Sequence, residues 1–381
     1  MLLGSVDELS PDDLERLVQD RVSEGKTMEF KQVLDLNDVG HRRTLIGEVV
    51  SFANAGGGDI VLGVKEEDGV AIDVLGMDID NTDKTGGRIT HILRQKVEPP
   101  IPPALVTVRD ISLENDRTVI VIRVRESWRS PHRETVNYQF YGRSSHGKEP
   151  LDVDEIKQHV LLSESNAEQI REFRADRIAR LQSGRTPIPV EDGPKAVLHI
   201  VPFNAFRPGT QIDIQAASIR KEHAPRLLRS EPRGNQERFT ADGVVTHWSS
   251  LPEPQRSYTL TFRSGAIEAV TGKCFKDDVD GIPYLMAKFL RGALEFSLER
   301  YCTFLKTQDV NPPVFAFLSL INAEDYGVKR SIDTGWPPEH TINQPVTLFP
   351  EQVIEDYTEL EQTVDVLMDF VWNAGGHPGE P

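Results

Sequence analysis

Phe52-Ala-Asn54-Ala-Gly56-Gly-Gly58-Asp-Ile-Val-Leu-Gly63-Val64 is the stretch that decides the fold of the first half of this chain. Before it, Arg42 to Asn54 places Leu45, Ile46, Val49, Val50 and Phe52 at helical spacing. Three glycines then break the helix, and Asp59 to Val64 reads as a buried strand. The turn precedes a strand instead of opening a helix, and it lacks a Lys-Ser/Thr ending, so it is not a phosphate-binding P-loop. Its glycines are expected to permit a positive-φ turn and close backbone packing, with Asn54 capping the helix end.

Upstream of this stretch, Ser10-Pro11-Asp12-Asp13 starts a helix through Leu14, Leu17, Val18 and Val22, and Thr27 to Leu34 reads as a strand. Downstream, Thr85 to Lys96 is a second helix, closed by Pro99-Pro100-Ile101-Pro102-Pro103. Leu105 to Val108 and Thr118 to Val124 form a strand pair, and Leu151 to Ser165 adds a helix that continues to Leu181. Gly184 and the Pro187 to Pro194 region break the pattern.

Beyond that break, strands are expected at Ala196 to Val201, Gln211 to Ile214 and Val244 to Trp248. A hairpin joins Tyr258–Phe262 to Ala266–Val270, Tyr284 to Leu305 is a long helix, Val314 to Ile321 a strand, and Glu351 to Trp372 a helix ended by Gly375-Gly376. A length of 381 residues points to at least two domains. The pattern places an α+β domain over residues 10–165, a helical linker over 166–194 and a second α+β domain over 195–375.

The net charge of -17 excludes nucleic-acid binding through the global field, so any polyanion site must be a local basic patch. From Ile120 to Glu149, six Arg and Lys residues oppose only Glu126, Glu134 and Glu149, with Trp128, Tyr138, Phe140 and Tyr141 interleaved. Arg129, Arg133 and Arg143 are the candidate nucleic-acid contacts from this run, although strand alternation would send half of its side chains inward or into salt bridges. Cys274 and Cys302 fit neither a disulfide framework nor a zinc cluster, the start lacks the pattern of a signal peptide, and no 18-residue apolar stretch occurs. A cytoplasmic protein without a membrane span is expected.

Three stretches together resemble the Schlafen-type Alba-like (AlbA_2) domain: Glu24-Gly-Lys-Thr-Met-Glu29-Phe30-Lys31, the Phe52 to Val64 segment, and Pro131-His132 with Tyr141-Gly142-Arg143-Ser144-Ser145. The resemblance covers about 155 residues and none of the C-terminal half. It implies a mixed sheet with flanking helices and, as in the nucleases of that family, three carboxylates that fall here on Glu24, Glu29 and Glu66. Glu66 stands where those nucleases carry Asp. Three such acids would hold Mg²⁺ or Mn²⁺ against a phosphodiester. A spacing of five sends two strand residues to opposite faces, so Glu24 must lie in the loop before the strand. Lys31 shares the Glu29 side and would stabilise developing phosphate charge. His132 is left out of the catalytic set.

The resemblance further implies a metal-dependent endoribonuclease acting on structured RNA such as tRNA, in antiviral or stress defence. Its C-terminal domain would answer an unknown trigger, and a homodimer would build the cleft that family nucleases form from two lobes. The alternative is a non-catalytic nucleic-acid-binding or DNA-binding regulator.

Overall fold

The computed structural model describes residues 2, 6–207, 209–225, 236–248, 251–277, 282–330 and 340–380, which divide into two compact units at Ser165/Asn166. In the first unit the strands are β1 (Met28–Lys31), β2 (Gly58–Leu62), β3 (Val64–Glu67), β4 (Val70–Val74), β5 (Val97–Glu98), β6 (Val106–Ser112), β7 (Thr118–Val124), β8 (Arg133–Glu134), β9 (Tyr141–Ser144) and β10 (Gly147–Pro150). The helices are α1 (Pro11–Gln19), α2 (Val39–Asn54), α3 (Thr82–Lys96) and the start of α4 (Val153–Gln182). The central sheet runs β1-β2-β7-β6, with β1 and β2 parallel and the other neighbours antiparallel.

Alternation along β2 and β7 sorts the core onto two faces. Ile60, Leu62, Ile120, Ile122 and Val124 meet α2 and α3, whereas Val61, Val119 and Val121 meet α1 through Leu14 and Leu17. Helix α2 is buried all round from Leu45 to Asn54, as a helix covered on both sides must be. Side chains fix the starts of both flanking helices: Asp38 accepts from the His41 N–H at 2.8 Å and Asn81 from the Lys84 N–H at 2.7 Å.

The glycine turn serves the backbone, as expected. Gly57 has φ +80, and a Cβ there would lie 2.8 Å from the Val124 carbonyl, while a Cβ on Gly58 would run into the Phe52 ring. Asn54 differs from expectation. Instead of capping α2, its buried amide donates to the His132 and Tyr141 carbonyls and its oxygen accepts the His132 N–H at 2.6 Å. That amide is the physical tie between the second and third sequence stretches.

The second unit comprises the rest of α4, the strands β11 (Lys195–Pro202), β12 (Gln236–Phe239), β13 (Gly243–His247), β14 (Ser257–Phe262), β15 (Ile267–Thr271), β16 (Phe275–Lys276), β17 (Tyr284–Met286), β18 (Val314–Ile321), β19 (Gly327–Lys329), β20 (Val346–Leu348) and β21 (Gln352–Ile354), and the helices α5 (Ala287–Thr307) and α6 (Leu360–Ala374). The large sheet runs β12-β13-β14-β15-β11-β18-β20, with β21 also on β18. Helices α5 and α6 pack on the face of Ala196, Leu198 and Ile200, and Ile178 and Leu181 of α4 pack with Val197 and Val270 on the other. Residues 166–182, expected as the helical part of a linker, are therefore part of this α+β unit.

Three element expectations change here. Gln211 to Ile214 forms no strand but a loop into a short 3₁₀ turn, Ile214–Ala217, where Asp213 accepts from the Gln215 N–H. Tyr284–Met286 pairs as β17 before its helix begins. The expected helix from Glu351 splits, because Gln352–Ile354 pairs with β18 and Asp356 then caps Thr358. No described helix is long and apolar enough to cross a membrane.

Candidate active site

On β1, Met28 and Phe30 point into the α1 face, so Glu29 points to the α2 face, where Glu48 approaches it from the helix. Two carboxylates in that position need compensation, and Arg143 of β9 supplies it. Its guanidinium has no exposed area and bonds Glu29 Oε2 at 2.7 Å and Glu48 Oε2 at 2.6 Å. It also donates to the Gly25 and Met28 carbonyls and stands 3.8 Å from the Phe52 ring centre. Lys31 Nζ holds the other Glu29 oxygen at 2.6 Å, and Lys148 Nζ holds Glu48 Oε1 at 3.0 Å.

Glu24 lies in the loop before β1, as its spacing from Glu29 requires. Its Oε1 accepts the Phe30 N–H at 2.8 Å and lies 3.7 Å from Lys31 Nζ. Its backbone N–H donates to the Gly69 carbonyl, which anchors the loop to the β3–β4 hairpin. Burial pushes the Glu24 carboxyl up, its bond from Phe30 and the Lys31 charge oppose that, and the charges of Glu29 and Glu66 push it further in the same direction. Glu29 is instead lowered: burial opposes ionisation, but the bonds from Lys31 and Arg143 outweigh it. Lys31 is raised by its bond to Glu29 against the cost of burial.

Glu66 sits exposed on β3, and its carboxylate turns back to the Gly69 N–H at 2.7 Å. It reaches Glu24 through the field and not by contact. An oxygen-ligated divalent ion needs several carboxylate oxygens facing one point. Here both Glu29 oxygens are held by cations and Glu66 is turned into its own hairpin. Among the described residues, no group of three His, Cys, Asp or Glu side chains is placed to hold a metal ion. In this arrangement Glu24, Glu29 and Glu66 do not fit as a ligand set for Mg²⁺ or Mn²⁺; Lys31 provides the positive charge between Glu24 and Glu29. What remains is a half-buried carboxyl of raised pKa beside an ammonium, a pair able to move a proton and to balance charge on a phosphate.

The arginines expected to face phosphate separate. Arg143 is a buried clamp on Glu29 and Glu48. Arg133 pairs with Glu98 at 2.7 Å and lies over Tyr138, whereas Arg129 is exposed and lies over Trp128. Arg123, from the same run, is buried on Asp59. His132 is buried, donates from Nδ1 to the Pro99 carbonyl at 2.7 Å, and burial brings it down to about 4, so it is neutral at pH 7. Sequence reading missed Glu48. Its only signal was a lone acid in an otherwise apolar stretch of α2.

A family model described as Schlafen, AlbA_2 matches residues 24–152, about a third of the chain. No curated protein matches the chain. Among solved structures, the DIP2311 protein from Corynebacterium diphtheriae is similar at 17% identity and a TM-score of 0.26, over 38% of this chain and 27% of that one. The chain thus spans well under half the length of that protein. The match begins at Glu24, ends as α4 begins, and takes in every residue of the Glu29 cluster, so it is the N-terminal unit, over residues 24–152, that matches the Schlafen AlbA_2 domain.

Proposed function

We propose that the N-terminal unit is an endoribonuclease acting on structured RNA such as tRNA, with Glu24 exchanging the proton and Lys31 balancing the charge on the scissile phosphate. The AlbA_2 match supports a nucleic-acid-related role. The observation that carries the catalytic part is Glu24 itself, half-buried, raised in pKa and 3.7 Å from Lys31 in a loop pinned at both ends. Glu29 acts through Lys31, which it holds in place. A role in antiviral or stress defence, a homodimer, and a trigger sensed by the C-terminal unit belong to the same reading.

A second reading is a non-catalytic nucleic-acid-binding regulator. It is favoured by the full occupation of Glu29 by Lys31 and Arg143 and by the lack of a metal-ligating group among the described residues.

Purified total tRNA incubated with the parent protein, Glu24→Gln and Glu29→Gln, in Mg²⁺, in Mn²⁺ and in EDTA, separates the two. Fragments from the parent and at least a hundredfold fewer from Glu24→Gln are expected, a loss within the usual range for a general acid or base. Cleavage abolished by EDTA would restore the metal requirement implied by the family. The sign of the pH effect also follows. With Glu24 as base, the rate falls as pH drops through its raised pKa, so that limb lies above the ordinary carboxylate value of 4.5 and disappears in Glu24→Gln. Intact tRNA under all three conditions favours the regulator.

A further inference from the structure

In a chain of net charge -17, the first helical turns of α2 and the length of α3 are basic. Between them lies a groove of about 410 Å³ lined by Arg42, Arg43, Arg88, His91 and Lys96 and by no acidic side chain. None of Arg42, Arg43, Arg88 and Lys96 forms an ion pair with a carboxylate among the described residues. Arg42 and Arg88 donate to the Leu36 carbonyl, Arg88 also reaches Asn37 Oδ1, and Arg43 faces the Asn137 amide. Ile46 and Ile92 also line the groove, and Val39 and Val136 remain 63% and 44% exposed there. Two other grooves of this unit mix both signs of charge: Asp35, Asp78 and Asp80 accompany Lys84, Arg88 and Arg117 in one, and Glu149 and Glu155 accompany Arg143 in another.

We propose that the α2–α3 groove is a sequence-independent track for the phosphate backbone of RNA, separate from the Glu24–Lys31 site. The proposal rests on the nucleic-acid reading above and says where the strand is held. Charge complementarity carries it. Arg42, Arg43, Arg88 and Lys96 gather on two helices around a lining without a carboxylate and concentrate positive potential there, opposed in part by Asp38 beside Arg42 and by the acids of the adjoining groove that Arg88 also lines. Length fits as well, since Arg88 to Lys96 spans about 12 Å along the helix, enough for three or four phosphates of one strand. Apart from the cations, His91 and Gln95, the lining is aliphatic and offers nothing to base edges, so most of the contacts position the strand without reading it. An acidic peptide with apolar side chains is the competing occupant, and the test separates the two.

Fluorescein-labelled total tRNA is titrated in EDTA with the full chain and with the triple variant Arg43→Glu, Arg88→Glu, Lys96→Glu, all three residues being exposed. Anisotropy is read across a salt series. The proposal expects binding at least tenfold weaker and a slope of log Kd against log salt shallower by about 2 to 3, one for each contact removed. The triple Gln variant, which adds no repulsion and disturbs folding least, must shift in the same direction. Unaltered affinity and slope in both variants would overturn the groove while leaving the nuclease reading intact. A parent that binds no tRNA at low salt would overturn both. Displacement of the tRNA by polyglutamate as efficiently, charge for charge, as by unlabelled tRNA would give the groove to an acidic peptide instead.

Discussion

Taking the Arg143 guanidinium away would leave Glu29 and Glu48, each less than a tenth exposed, with only Lys31 and Lys148 to compensate them. Removing one partner of a buried ion pair costs about 3–5 kcal/mol, because the charge left behind keeps its desolvation cost. Arg143→Met is therefore expected to lower the stability of the N-terminal unit by about that much in urea unfolding. A loss under about 1 kcal/mol, as for a surface arginine, would mean that the guanidinium is exposed to solvent and able to meet phosphate. This role was not legible in the sequence. Arg143 lies 114 positions from Glu29, and an Arg in an Arg- and aromatic-rich run reads as a surface until the fold shows that strand alternation has turned it inward. Glu24 was legible, because a spacing of five cannot bring two side chains to one face unless one of them leaves the strand.

At the scale of elements, the legible parts were those whose burial is periodic. Thr118–Val124 and Val314–Ile321 are apolar runs bounded by turn residues, and both are strands with the expected limits. Tyr284–Met286 and Gln352–Ile354 were misread because tertiary pairing overrode local pattern, as with Val353 and Ile354, helical in spacing yet drawn onto the edge of β18, whereas Gln211 to Ile214 alternates like a strand but finds no partner strand. The second half of α4 is held by a network that no local pattern announces. Arg177 bonds both oxygens of Glu268 on β15, and Tyr258 and His199 complete the carboxylate's shell at 2.7 Å and 3.0 Å. These bonds bring Glu268 down to about 2 despite its complete burial. A lowered acid stabilises the fold above its unfolded pKa and loses that contribution as pH falls, here between about 4.5 and about 2. Arg177→Met is expected to cost about 3–5 kcal/mol at pH 7, and circular dichroism melts should put that loss in the C-terminal unit. A melt unchanged from the parent would mean that apolar packing alone docks the helix.

For the molecule as a whole, the AlbA_2 match and the basic α2–α3 groove stand against a net charge of -17. A single groove spanning about 12 Å grips only a few phosphates, and a few contacts give weak, salt-sensitive binding. Two copies related by a closed two-fold axis would double the contacts on one RNA without any new surface, since linked sites raise avidity through effective concentration. That is the physical case for the homodimer, and it commits to a number. Light scattering at micromolar concentration should return twice the mass of the chain, with two chains bound per tRNA. A monomeric mass with undiminished tRNA cleavage would remove the dimer from the mechanism and require a single AlbA_2 domain to hold and cut its substrate alone.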